Sequence, residues 1–235
     1  MKQPDNLPLE ERLTCIRETV SQNAALAGRN PEDIRIMAVT KNVPAEQVNQ
    51  AVKWGISFLG ENRVQEYLEK RAYYCLPSGE VHFIGHLQRN KVKYIIDKVD
   101  MIQSVSSLEL AEEIQKRAMA RRKAMRVLLE INISEEQSKS GFFESETEQA
   151  VEKILSMSFL QLEGMMCIPA KNNAEASFVK MRELYDRIRF RYRGDLNFQF
   201  LSMGMSADYS LAVREGSNLI RLGTAIFGQR NTGGK

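Results

Sequence analysis

The sequence predicts an α/β protein with one (β/α)8 TIM barrel and one extra helix at its N-terminus. Eight short apolar runs alternate with longer amphipathic segments, and such alternation indicates a parallel sheet covered by helices. The 235 residues suit a compact barrel of this kind and leave little chain for a second domain. No Gly-x-Gly-x-x-Gly motif follows an early run, which disfavours the dinucleotide-binding form of an open doubly wound sheet.

The individual elements follow from hydrophobic periodicity. The first segment, Leu7 to Ala27, carries apolar residues three and four positions apart and ends before Gly28, as an amphipathic helix does. Each later apolar run is short and continuous, which is typical of strands buried on both faces. The predicted strands are Ile34–Val39, Ile56–Leu59, Val81–Ile84, Met101–Val105, Val127–Ile133, Leu160–Met166, Phe198–Leu201 and Leu219–Leu222. The helices between them are Ala45–Trp54, Val64–Tyr74, Arg89–Lys98, Leu108–Ala120, Glu146–Met157, Glu175–Arg191 and Ala207–Glu215. We expect residues 1–30 to form the leading helix packed on the barrel, and residues 31–235 to form the barrel.

Composition excludes several classes of function. The net charge is +3, from 33 basic and 30 acidic residues, and this weak excess does not predict a nucleic-acid groove. Three widely spaced cysteines and two histidines form no recognisable metal-ligand set. No apolar signal core or membrane-length stretch is present. We therefore expect a cytoplasmic protein without metal, membrane or nucleic-acid partners, and a monomer, because no exposed hydrophobic helix stands out.

Lys41 is the first candidate functional residue. It follows the strand that ends at Val39, and Pro44 then begins the next helix. In a parallel barrel this rim carries the chemistry, and a lysine held against apolar walls loses its proton more easily and becomes a nucleophile for a carbonyl. For one lysine alone, an ordinary exposed loop residue is the simpler interpretation. The other strand ends decide between the two.

Two loops near the C-terminus predict a phosphate site. The seventh strand leads into Ser202-Met-Gly-Met-Ser206, and the eighth into Gly223-Thr224. Barrels often bind phosphate with these two loops, and hydroxyls with free backbone N–H groups suit a phosphate dianion. The same residue types also serve as helix caps. Because both loops occur in the expected places, the sequence favours a phosphate site over helix capping.

A reactive lysine facing a phosphate site suggests a phosphorylated aldehyde, and pyridoxal 5′-phosphate (PLP) is the commonest such cofactor. Arg221 ends the eighth strand and would lie near the pyridine nitrogen. Because a guanidinium does not give up its proton, it would leave that nitrogen unprotonated and the ring a weak electron sink. Asn62, His82 and Met203 complete the candidate cofactor contacts, although His82 within a strand also suits a hydrogen-bonded core residue.

The combined motifs resemble the pyridoxal phosphate homeostasis protein family, whose members share the barrel of alanine racemase. The motifs are Ala38-Val-Thr-Lys41, Gly60-Glu-Asn-Arg-Val-Gln-Glu66, His82-Phe-Ile-Gly85, Gln88-Arg-Asn-Lys91, Leu201-Ser-Met-Gly-Met-Ser-Ala-Asp208 and Arg221-Leu-Gly-Thr-Ala-Ile-Phe-Gly228. The resemblance implies a Schiff base between PLP and Lys41, phosphate binding by Ser202, Gly223 and Thr224, and Arg221 at the ring nitrogen. It also implies a role in PLP storage and delivery without established turnover, with apo PLP-dependent enzymes as acceptors.

Three alternatives stay open at this point. An amino-acid racemase needs a second base opposite Lys41, and a Schiff-base aldolase needs an acid beside it. Alanine racemase resembles this chain with a further β-rich domain that supplies a tyrosine, and Tyr209 is the only nearby tyrosine here. In a regulatory phosphate-binding barrel, Lys41 would be an ion-pair partner. Lys139, in the loop after the fifth strand, could be a second amine that accepts the aldehyde or an ordinary loop lysine.

Overall fold

The computed structural model describes residues 7–136, 138–170, 173–195 and 197–229. Their eight parallel strands close into a barrel in chain order, with the last strand paired to the first. The predicted fold class is confirmed. The strands are β1 (Arg35–Val39), β2 (Phe58–Glu61), β3 (Glu80–Phe83), β4 (Met101–Val105), β5 (Met125–Ile131), β6 (Leu160–Cys167), β7 (Phe200–Met205) and β8 (Leu219–Leu222). The α-helices are α1 (Leu9–Leu26), α2 (Ala45–Lys53), α3 (Val64–Lys70), α4 (Val92–Ile95), α5 (Leu108–Arg121), α6 (Thr147–Leu155), α7 (Ala174–Arg191), α8 (Tyr209–Arg214) and α9 (Thr224–Phe227).

Two hydrophobic clusters hold the barrel together. The larger one lies between the strands and the surrounding helices. The smaller one fills the barrel interior and consists of Met37, Ile84, Met101, Leu128, Met166, Phe200 and Leu219. Successive residues of a strand point to opposite faces, so Met37 joins the interior cluster while Ala38 joins the outer one. Both faces of each strand are therefore buried, as the continuous apolar runs predict.

Helix α1 packs on the side of the barrel formed by the last elements of the chain. Its apolar face buries Leu13, Ile16, Val20 and Ala24, and the helix contacts α8 and α9. Arg12 Nη1 also donates a hydrogen bond to the carbonyl of Ile226 in α9, at 3.0 Å. Helix α1 thus supports the segment that follows β8. The proposed boundary at residue 30 stays a prediction, and residues 1–6 and 230–235 lie outside the described part of the chain.

Several strand ends differ from the prediction. Strands β3 and β5 end at Phe83 and Ile131, before their predicted ends. Strands β2 and β7 continue past theirs into buried polar residues. Strand β7 was expected to end at Leu201 and continues to Met205. Strand β2 extends through Gly60 and Glu61, which are both buried. In place of one helix from Arg89 to Lys98, a 3-10 turn leads into the short α4. Hydrophobic periodicity does not register buried side chains that are polar, and this accounts for the missed ends of β2 and β7.

Two features are absent from the described residues. Among them, no helix combines the length and apolar character that a bilayer span requires. Nor do these residues contain a group of three or more His, Cys, Asp or Glu side chains arranged to hold a metal ion.

Candidate ligand site at the carboxyl ends of the strands

Lys41 is the second residue after β1, and helix α3 fixes the main chain on both sides of it. The Lys70 ammonium donates to the carbonyl oxygens of Thr40 at 2.9 Å and Val43 at 3.2 Å. Thr40 is fully buried and Lys41 is half-buried. The lysine is therefore held at the rim by main-chain contacts that do not involve its own amine.

A second contact from α3 fixes the residue after Lys41. Glu66 Oε1 accepts a hydrogen bond from the Asn42 N–H at 2.6 Å and pairs with Lys70 Nζ at 2.7 Å. Asn42 has a φ of 58°, a left-handed conformation that asparagine tolerates better than most residues. The turn at Lys41 is thus specified by its own sequence and by the Glu66–Lys70 pair.

Glu61 supports the same segment from the helix side of the barrel. Its Oε1 accepts from Thr40 Oγ1 at 2.7 Å and from the Tyr74 hydroxyl at 2.6 Å. Burial raises the pKa of this carboxyl, and the hydrogen bonds from Tyr74 and Thr40 oppose that rise. The sequence left open whether Glu61 orients Asn62 or Lys41. The structure places its contact at Thr40, next to Lys41.

Arg221 is a buried guanidinium at the end of β8. Only 4% of the residue is exposed, and burial lowers its pKa. Nη1 donates to Ser202 Oγ at 2.7 Å and Nη2 to the Cys167 carbonyl at 2.8 Å. Within the described residues no carboxylate pairs directly with this cation. A buried charge without an ion-pair partner is costly, so the position suits a ligand that accepts hydrogen bonds.

The loops after β7 and β8 meet at Ser206. Its hydroxyl oxygen accepts hydrogen bonds from the N–H groups of Gly223 at 3.2 Å and Ala225 at 3.1 Å. Thr224 lies between them and is exposed. These four residues, which we call the phosphate cup, gather hydroxyl and backbone donors at one end of the barrel. Hydroxyl and backbone N–H groups are donors of the kind that bind phosphate at this end of other barrels.

Comparison with known proteins identifies the family. The profile of the family described as alanine racemase, N-terminal domain, matches residues 13–231. A pyridoxal phosphate homeostasis protein from Aquifex aeolicus is 36% identical over 224 residues, which cover 94% of this chain and 97% of that relative. One from Escherichia coli is 33% identical over 231 residues, or 95% of this chain and 97% of the relative. The chain belongs to the pyridoxal phosphate homeostasis protein family.

Solved structures agree with this assignment. PipY of Synechococcus elongatus, whose structure was determined with PLP bound, is 30% identical with a TM-score of 0.80, and the match covers 94% of this chain and 100% of PipY. An alanine racemase from Clostridium difficile is 18% identical with a TM-score of 0.69. That match covers 96% of this chain and 57% of the racemase. The likeness to the racemase shows a shared barrel fold.

Most candidate residues of this family member lie at the ends of four consecutive strands, β7, β8, β1 and β2. Lys41, Arg221 and the phosphate cup belong to this group. Asn62 directly follows β2, and its buried Oδ1 has no hydrogen-bond partner within the described chain. An enclosed acceptor without a partner is costly unless something binds it. Asn62 is therefore a further position at which a ligand could bind.

Three candidate residues lie elsewhere. Ser202 is fully buried, and its hydroxyl accepts from Arg221 and donates to Gln103 at 2.7 Å, away from the cup. His82 lies deeper in the barrel and contacts Gln103 Nε2 at 2.8 Å. The Met203 side chain belongs to the outer cluster between barrel and helices. These three residues, which the sequence grouped as cofactor contacts, therefore occupy three different environments.

Two buried polar residues of the interior were missed by the sequence reasoning. Gln103 lies in β4 and is fully buried. Glu130 lies in β5, where its Oε1 accepts from Ser140 Oγ at 3.3 Å and burial raises its pKa. Gln103 and Glu130 each interrupt an otherwise apolar predicted strand. That interruption was the sequence feature from which a buried polar role could have been predicted.

Lys139 has a clear structural role in its loop. Its amine donates to Ser134 Oγ at 3.2 Å, Glu136 Oε1 at 2.8 Å and the Pro169 carbonyl at 3.2 Å. These contacts join the loop after β5 to the segment after β6. A role for Lys139 as a second amine stays a hypothesis.

Proposed function

We propose that this protein binds PLP at the ends of β7, β8, β1 and β2, holds it as a Schiff base on Lys41, and stores and delivers it within the cell. One observation carries the proposal. Lys41 follows β1, Arg221 lies near the end of β8, and the phosphate cup follows β7 and β8, which are consecutive strands of one barrel. This arrangement supports a site in which the amine would meet the aldehyde, the guanidinium the ring nitrogen and the cup the phosphate. The names of the relatives and the PLP-bound structure of PipY agree with this proposal.

The residues present fit the cofactor. Lys41 supplies the amine for the aldehyde, and the phosphate cup supplies hydroxyls and backbone N–H groups for the phosphate. Arg221 is buried without an ion-pair partner in the described chain and would donate to the ring nitrogen of PLP. When bound, PLP supplies an electrophilic carbon and a conjugated ring that can withdraw electrons. Because the Arg221 guanidinium does not release its protons at neutral pH, it would leave the ring nitrogen unprotonated and this withdrawal weak.

The position of Tyr209 favours a carrier over an enzyme. The alternative, a PLP-dependent amino-acid racemase, needs a second base facing Lys41. Tyr209, the tyrosine nominated from the sequence, is half-buried at the start of α8 and packs against the outer hydrophobic cluster.

We propose that apo PLP-dependent enzymes are the acceptors, and that the protein acts as a cytoplasmic monomer.

Borohydride trapping tests the proposal. The purified protein is incubated with PLP, reduced with borohydride and digested, and the modified peptide is located by mass. We expect a visible absorbance band that reduction bleaches, and a label on Lys41. A label elsewhere, or no band at all, would refute the Schiff-base assignment. Racemisation measured across the amino acids, at a rate well above that of free PLP, would support the alternative function.

The phosphate cup makes a separate prediction. Replacing Ser206 and Thr224 together with alanine should weaken PLP binding by several kcal/mol at most, at about 1.5–3 kcal/mol for each charged hydrogen bond. Pyridoxal, which lacks the phosphate, should bind the variant and the wild type equally. Affinities of both ligands, measured by absorbance titration, check this result. If both ligands weaken alike, these residues do not bind the phosphate.

Ser202 gives the matching control. The family resemblance assigns it to phosphate, whereas its hydrogen bonds place it beneath Arg221. We therefore expect Ser202→Ala to weaken PLP and pyridoxal to the same degree. If Ser202→Ala weakens the binding of PLP but not of pyridoxal, Ser202 contacts the phosphate after all.

A further inference from the structure

One chain of hydrogen bonds crosses the barrel interior from Arg221 to the opposite end. Arg221 Nη1 donates to Ser202 Oγ at 2.7 Å, and Ser202 Oγ donates to Gln103 Oε1 at 2.7 Å. Gln103 Nε2 donates to His82 Nδ1 at 2.8 Å, and His82 Nε2 donates to Glu80 Oε2 at 2.7 Å. The first link lies at the candidate ligand site. The last lies where β3 enters the barrel.

The middle of this chain is sealed from water. Ser202, Gln103 and His82 are each 0% exposed. The rings of Phe58 and Phe200 meet the His82 ring edge-on, with centroids 5.6 Å and 6.2 Å away. Hydrogen bonds in such surroundings are strong, and a broken one leaves polar groups that water does not reach.

A neutral His82 fixes the direction of every hydrogen bond in the chain. Burial lowers the pKa of His82 and favours its neutral form. Glu80 is an ionised acceptor, because hydrogen bonds from His82 and Arg126 hold its pKa at about 2. A neutral His82 that donates from Nε2 to Glu80 accepts at Nδ1, so Gln103 donates its Nε2–H there and accepts at Oε1 from Ser202. Arg221 has donors and no acceptor, and it donates to Ser202 at the other end.

The far end of the chain is firmly anchored. Arg126 Nη1 donates to Glu80 Oε2 at 2.6 Å, and its Nε contacts both oxygens of Glu163 at 3.0 and 2.9 Å. The anchor and the chain together join β3, β4, β5, β6, β7 and β8. A rotation of Arg221 would thus break a bond whose partners are fixed on several strands.

We propose that Gln103 and His82 are positioning residues, which hold Arg221 in the orientation that meets the ring nitrogen of bound PLP. The inference rests on the proposed function. It predicts that cofactor affinity and absorbance depend on side chains deep in the barrel that do not touch the cofactor. If the barrel needed only filling at this depth, apolar residues such as the neighbouring Met101 would serve equally well.

The test compares Gln103→Leu with Met101→Leu, two interior substitutions on β4 of which only the first breaks the chain. We expect Gln103→Leu to weaken PLP binding about tenfold or more and to change the visible spectrum of the bound cofactor. Met101→Leu should keep the affinity and spectrum of the wild type, since it preserves volume and polarity. Equal behaviour of the two variants overturns the inference.

A double-mutant cycle separates positioning from general packing. In an Arg221→Met background, Gln103→Leu should cause no further change in affinity or spectrum, because its effect passes through Arg221. Additive losses would show a purely structural role and overturn the inference. If Gln103→Leu does not fold, Ser202→Ala breaks the same chain by removing one atom and takes its place in the cycle. A wild-type protein that binds no PLP refutes the proposed function instead.

Discussion

Replacing Lys41 with alanine is expected to abolish the borohydride-stable adduct and the visible absorbance band completely. The free energy of unfolding of the apo-protein should change by less than about 0.5 kcal/mol. Lys41 belongs to neither hydrophobic cluster, so the truncation opens no core cavity. The turn around it is held by the Lys70 amine on the carbonyls of Thr40 and Val43, and these bonds do not need the Lys41 side chain.

Lys70→Ala provides the matched control for this experiment. It removes a neighbouring amine that is engaged in hydrogen bonds and in an ion pair with Glu66. We expect this variant to keep the adduct on Lys41 and to lose stability in urea unfolding, the reverse of the Lys41→Ala result. An absorbance band that survives in Lys41→Ala, or an adduct on Lys70 in the wild type, would contradict the assignment.

The order of the strands was predictable because apolar runs and helical segments alternate along the chain, which indicates a parallel barrel wound in chain order. The strand ends were less predictable, and β7 shows why. Beyond Leu201 the strand continues with Ser202, which is buried through hydrogen bonds and carries no hydrophobic signal. The sequence pattern therefore located the barrel correctly, but it ended β2 and β7 too early and β3 and β5 too late.

The candidate site could be predicted residue by residue only in part. Ser202 and Ser206 belong to one motif, but the pairing of β7 with β8 shifts register between Ser202 and Met205. Ser206 consequently reaches Gly223 while Ser202 stays beneath Arg221. A register shift of this kind leaves no reliable mark in the sequence. The outward position of Met203 was predictable, because strand residues alternate between faces.

The interior chain could not be predicted from the sequence. Gln103 and Ser202 lie 99 positions apart, on β4 and β7, which are not neighbouring strands. Their hydrogen bond crosses the barrel, and no local pattern encodes such a pair. Each residue alone looks like an isolated polar exception in an apolar run. Only the closed topology shows that these exceptions satisfy one another.

Replacing Gly164 with alanine is expected to destabilise the protein by about 3 kcal/mol or more, through overpacking and backbone strain. Gly164 lies in β6 with a φ of 149°, and an added Cβ would overlap the carbonyl oxygen of Phe200 on β7. That contact is main chain, so no side-chain rotation relieves it. The pairing of β5 with β6 also shifts register here, just before Cys167, whose carbonyl accepts from Arg221.

Gly194→Ala is the control, because its added Cβ meets no heavy atom of the described residues within 4 Å. We expect this variant to unfold within about 0.5 kcal/mol of the wild type. Urea unfolding of the apo-proteins measures both changes. The folded fraction of Gly164→Ala should also bind PLP more weakly than the wild type, because a displaced Cys167 carbonyl releases one side of Arg221. Equal urea midpoints for the two alanine variants would show that β6 and β7 can separate at this point without cost, contrary to the packing seen here.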